Sequence, residues 1–257
     1  MESDSISSGV ALRDELRQQR VFNDQVRLQF NQAPAGIAVT AANGLIVVLA
    51  MAHFFDTGLA WLWYLALLAI LAARGLLVFG YRVKETALAV KTWSRLFTAG
   101  AAATGLAWGL SVYALPWDSF NDEVFLSFVI AGMVAGAIPS LSPCLTTYLL
   151  YMLGALLPVA LRMVLISGNF ALTFLLLIGL FGLFMFVTAK AHHTSVRRSL
   201  ELRYANEDLV ADLTEESARA KALNARLTDE VHRRARMEEA LVIAKEQAEA
   251  ANVAKSE

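Results

Sequence analysis

The chain has 257 residues, enough for one or two ordinary domains. Hydrophobic residues make up 57% and charged residues 18% of it, against about 45–50% and about 25% in soluble domains, which excludes an ordinary soluble fold. The formal net charge of −1 supplies no global field toward nucleic acid, and the single cysteine, Cys144, excludes a disulfide framework within one chain.

Charges are sparse between Ala33 and Ala189 and dense on either side. This predicts an all-α polytopic membrane protein: a cytoplasmic arm over 1–32, a six-helix transmembrane domain over 33–190, and a cytoplasmic helix over 191–257. The N-terminus is polar and acidic at its start and has no short apolar core, so it does not read as a signal peptide.

Apolar runs from Ala35 to about Phe55, Leu59 to about Tyr81 and Leu96 to Pro116 read as the first three spans. The run from Val124 to Ile166 is too long for one span. Pro139 and Pro143 within it favour a turn or broken helix, splitting it into Val124 to about Leu141 and Thr146 to Ile166. After the polar break Ser167-Gly-Asn169, a sixth span runs from Phe170 to Ala189.

Arginines 13, 17, 20 and 27, then Arg82, Lys84, Lys91 and Arg95, then Lys190, Arg197 and Arg198 occupy alternate connections. The others hold Asp56, Asp118, Asp122 and Glu123 and no basic residue. The positive-inside rule then predicts cytoplasmic termini. The external connections are too short for a folded sensor domain.

From Leu202 the residues Asn206, Leu209, Leu213, Glu216, Ala220, Leu223, Leu227, Glu230, Arg234, Met237, Leu241, Ala244, Ala248 and Ala251 follow a 3-4 spacing, with no proline or glycine up to Glu257. That is a heptad seam, with d positions from Leu202 and a positions from Asn206. It predicts a parallel homodimer closed through Leu202, Leu209, Leu213, Leu223, Leu227, Met237 and Leu241. A solvated single helix is the plain alternative, but one this long is marginal without a packing partner.

The end of this segment, Ala244-Lys-Glu-Gln-Ala-Glu-Ala-Ala-Asn-Val-Ala-Lys-Ser-Glu257, resembles the linker of bacterial hybrid sensor histidine kinases. Leu202-Arg-Tyr-Ala-Asn-Glu-Asp-Leu-Val-Ala-Asp-Leu213 resembles the segment joining six-span sensor regions to such kinases and to some diguanylate cyclases. Trp108-Gly109 and Gly132-Met-Val-Ala-Gly-Ala137 resemble the same group more loosely. The resemblance implies a two-component input region ending just before the phosphoacceptor histidine box. No catalytic residue carries over, because His232 lacks that box. ATP and magnesium would belong to the missing kinase domain, and a response regulator would be met only through it. No cofactor is expected in this segment.

Arg74 and Arg162 are the ionisable residues deepest in apolar runs, which makes each a functional candidate. Both lie close enough to a helix end to snorkel, at different depths. Gly105/Gly109 and Gly132/Gly136 are small-xxx-small pairs for helix packing, within the bundle or between subunits. Pro139 and Cys144 could border a ligand pocket with Arg74, Trp108, Tyr148 and Tyr151, although a tight turn explains the prolines equally well. His192, His193 and His53 read as interfacial residues, because adjacent histidines point about 100° apart and clamp one metal poorly. No metal site is expected.

The composite reading is a membrane receptor domain in which a stimulus shifts the packing of the six-helix bundle and the dimeric coiled coil carries the change to the output. Membrane lipids and an unknown small or lipophilic signal are the expected partners, and a lipophilic autoinducer, a lipid, a metal ion and a bulk membrane property are all open as the stimulus. A diguanylate cyclase output is the nearest variant. A small transporter or channel subunit is the other class, disfavoured because the spans hold almost no acidic residues and no evident repeat.

Overall fold

A computed structural model describes residues 2–51, 58–83, 88–115, 120–166 and 171–254. They form α1 (Glu2–Met51), α2 (Gly58–Val83), α3 (Val90–Ala114), α4 (Phe120–Gly136), α5 (Ile138–Leu141), α6 (Leu145–Ile166) and α7 (Ala171–Ala254), with no strand among the described residues. Six stretches are long and apolar enough to cross a membrane, in α1, α2, α3, α4–α5, α6 and α7. The chain is therefore an all-α multi-pass membrane protein. His53, Asp56, Lys84, Glu85 and Asp118 lie outside the described residues.

The chain divides into two compact units, Met1–Glu201 and Leu202–Glu257. Within the first unit, His192 and His193 bond to the turn at Ser142 and Pro143.

The arm before the first span is not an aqueous extension throughout. It is helical, and Val21, Gln25, Val26, Gln29, Phe30 and Ala33 are buried. Their spacing of mostly three and four places them on one face of α1. Phe30 stacks on Tyr81 of α2 at 4.0 Å and lies 4.9 Å from the Phe97 ring of α3, while Tyr81 meets Trp93 edge-on at 5.5 Å. Such packing and interhelical hydrogen bonds hold helices together where lipid removes the hydrophobic drive. Tyr64 OH donates to Ala41 O at 3.2 Å, and Trp63 Nε1 donates to Ala107 O at 2.7 Å.

The most intimate contact is between α3 and α6. A Cβ at Gly105 would overlap the Tyr151 carbonyl, and one at Gly109 would overlap that of Gly154. The two backbones touch, which only glycine allows. Thr98 and Thr147 share a hydroxyl hydrogen bond of 2.7 Å toward one end, and Tyr113 OH donates to Pro158 O at 3.1 Å toward the other.

The Gly132/Gly136 pair behaves differently. A Cβ at either would meet no heavy atom within 4 Å, so among the described residues this motif makes no close helix contact. α4 ends at Gly136 because proline cannot continue a helix: Pro139 lacks the N–H that would bond Ala135 O, and its ring crowds that carbonyl. The chain turns at Ala137 and re-forms as α5, with Pro139 in its first turn. Ser142, Pro143 and Cys144 make the following turn.

Candidate functional site

Arg74 is the centre of the most distinctive region. It is 7% exposed and does not snorkel to a boundary. Nη1 donates to Thr104 Oγ1 at 3.1 Å, and Cζ lies 5.6 Å from the Phe97 ring centroid. Gly100 makes room for this inward pose, since a Cβ there would stand 2.9 Å from Arg74 Cγ. Thr104 in turn donates to Gly100 O at 2.9 Å. No carboxylate forms an ion pair with Arg74 among the described residues. An unbalanced cation in a low-dielectric interior is costly, and a neutral hydroxyl with an aromatic face offsets only part of that cost.

Beside Arg74 lies a cavity of about 390 Å³ walled by α1, α4, α5 and Tyr151 of α6. On α1, Gln32, Gly36, Thr40 and Asn43 line it at spacings of four, four and three, one helical face. Gly132, Gly136 and Ser140 line the opposite wall, also four residues apart. Some wall groups are already bonded: Thr40 donates to Gly36 O at 2.6 Å, Asn43 Nδ2 to Met133 Sδ at 3.1 Å, and Ser140 to Ala137 O at 3.2 Å. Gln32 Oε1 is buried with no hydrogen-bond partner.

Of the six residues proposed from sequence to border a pocket, Arg74, Pro139 and Tyr151 line this cavity, whereas Trp108, Cys144 and Tyr148 do not. Trp108 is fully buried against Trp63 at 5.4 Å, edge to face. Tyr148 OH donates to Val134 O at 3.2 Å, bracing α4 on α6. Cys144 sits in the turn, and burial pushes its thiol up to about 11, with a hydrogen bond from Ser94 opposing the shift. Arg162 lies elsewhere, with Cζ 5.4 Å from the Tyr113 ring centroid, so the two arginines form no common site.

The turn below the cavity is tied on two sides. Gln29 Nε2 of α1 donates to Leu141 O at 2.8 Å. From α7, His192 Nδ1 and Ser142 Oγ share a 2.8 Å hydrogen bond, while His193 Nδ1 faces the carbonyls of Ser142 at 3.1 Å and Pro143 at 2.9 Å. A carbonyl only accepts, so His193 carries a proton on Nδ1. The histidines read as interfacial residues thus fasten α7 to the turn that ends the cavity wall. A second cavity of about 380 Å³, between α4, α6 and α7, is lined by hydrocarbon and the Ser127 hydroxyl and holds no charged group. No group of His, Cys, Asp and Glu suited to a metal ion occurs among the described residues.

Sequence reasoning found Arg74 but missed Gln32, Thr40 and Asn43, whose periodic polar stripe along an apolar span was the available signal. Comparisons with protein-family models, curated proteins and solved structures found no match.

Proposed function

We propose that this chain is the membrane input module of a two-component sensor, most simply a bacterial sensor histidine kinase in the inner membrane with both termini cytoplasmic. The observation that carries the reading is the heptad seam of α7. Leu209, Leu213, Leu223 and Leu227 are 56–60% exposed in the single chain, and they belong to the same helix as the last span. Leucines at a and d with no partner call for a second helix, and a second copy supplies one in parallel.

The turn supports a route for the signal. A change in the cavity bears on Pro139, Ser140 and Leu141, and thence on Ser142 and the histidines of α7. A diguanylate cyclase output would use the same coupling. The transporter reading gains no support from the cavity, which is lined by no acidic residue for ion coupling.

The test joins the chain at Glu257 to the dimerisation helix and catalytic domain of a well-characterised histidine kinase. Autophosphorylation is read in vesicles of graded acyl length and anionic lipid content. The chimera's output should change about fivefold or more across the panel, while a chimera with residues 1–190 replaced by a plain helical anchor stays flat. Equal behaviour of the two would overturn the reading.

A further inference from the structure

The geometry points to the Arg74 cavity as a binding site for the carboxylate of a single-chain amphiphile, a fatty-acid-like monoanion. The inference goes beyond signal input and does not depend on it, since binding is read on this chain without any output domain.

Three observations converge. Among the described residues, Arg74 is the one charged residue lining the cavity; its guanidinium has a planar fork that matches the two oxygens of a carboxylate, and Nη1 is the nitrogen bonded to a protein hydroxyl. With one positive charge and no carboxylate lining the cavity, a monoanion balances the site, whereas a doubly charged phosphate monoester leaves excess charge buried. Beside the polar stripe of Gln32, Thr40 and Asn43, the apolar wall residues Val39, Met133, Pro139 and Leu141 suit a hydrocarbon tail. A volume of about 390 Å³ falls in the range of about 300–1,000 Å³ usual for ligand pockets. The glycine wall matters because Gly132 and Gly136 have open space where a side chain would stand, which is cavity and not a helix contact.

The test uses the full chain in phosphatidylcholine nanodiscs at pH 8, titrated with dodecanoate and, separately, dodecanol. Dodecanoate should bind the parent, and dodecanol about tenfold more weakly or worse, as expected for loss of a hydrogen bond to a charged group. Arg74→Gln should weaken dodecanoate binding by a similar factor. Gly132→Leu fills the cavity from a position with no neighbour to clash with, so it decides the matter even if Arg74→Gln fails to fold. Absence of dodecanoate binding to the parent, equal binding to Gly132→Leu, or equal binding of dodecanol would overturn the assignment. So would displacement of dodecanoate by phosphatidylglycerol added to the discs, which would assign the site to a lipid phosphodiester. None of these outcomes bears on whether the chain drives a kinase.

Discussion

At Gly105 and Gly109 the α6 backbone lies where a side chain would begin, whereas at Gly132 and Gly136 nothing stands within 4 Å. The same four-residue spacing therefore has opposite consequences. Gly105→Ala must push α3 from α6 and should destabilise the bundle by about 1–3 kcal/mol, the usual cost of overpacking. Gly132→Ala meets no neighbour and gains helix propensity, so it should leave stability unchanged or raise it by up to about 1 kcal/mol. Thermal unfolding of both variants in the same detergent checks this, and equal melting shifts would contradict it. Cys144 gives a second residue-level expectation. With its thiol pushed up to about 11, roughly one molecule in a thousand carries the thiolate at pH 8, so alkylation should be slow. The rate should keep climbing as pH rises through 10, where an ordinary exposed thiol has levelled off. A plateau near pH 9 would show that burial does not govern this thiol.

Among the elements, the end of α5 and the turn that follows it join α1, through Gln29, to α7, through His192 and His193. His193→Ala leaves the Ser142 and Pro143 carbonyls without this donor, and an unmet buried acceptor costs about 1–3 kcal/mol. Amide exchange over residues 138–147 should accelerate, and His193→Gln, which keeps a donor, should restore part of the protection. Unchanged exchange in His193→Ala would mean that the histidine does not hold the turn. The spans and the break at Pro139 and Pro143 were legible in the sequence, because hydropathy and proline chemistry act locally. The helical arm was not. Gln29 and Phe30 are buried by partners on α2, α3 and α5, and no local pattern names those partners. Arg74 stood out as a charge in an apolar run. Its inward pose needed Gly100 and Thr104 on another helix, which hydropathy cannot register.

Across the whole molecule, two expectations separate the account from its rivals. Six crossings with cytoplasmic termini follow from the one-sided arginine and lysine distribution. In intact cells an impermeant thiol reagent should label Asp122→Cys and spare Thr86→Cys, and the reverse pattern would invert the protein. The seam is the second. Glu230 and Arg234 interrupt it, and within one chain they pair with each other at 3.1 Å. That exposed pair is worth well under about 1 kcal/mol, so the leucines on either side must supply the association. Disulfide formation between single cysteines in native membranes measures this directly. Leu223→Cys and Leu227→Cys should form intersubunit disulfides readily, and Arg226→Cys, off the seam, should form few. Equal crosslinking at all three positions, or none at Leu223 and Leu227, would contradict a paired seam and with it the proposed path from membrane to output.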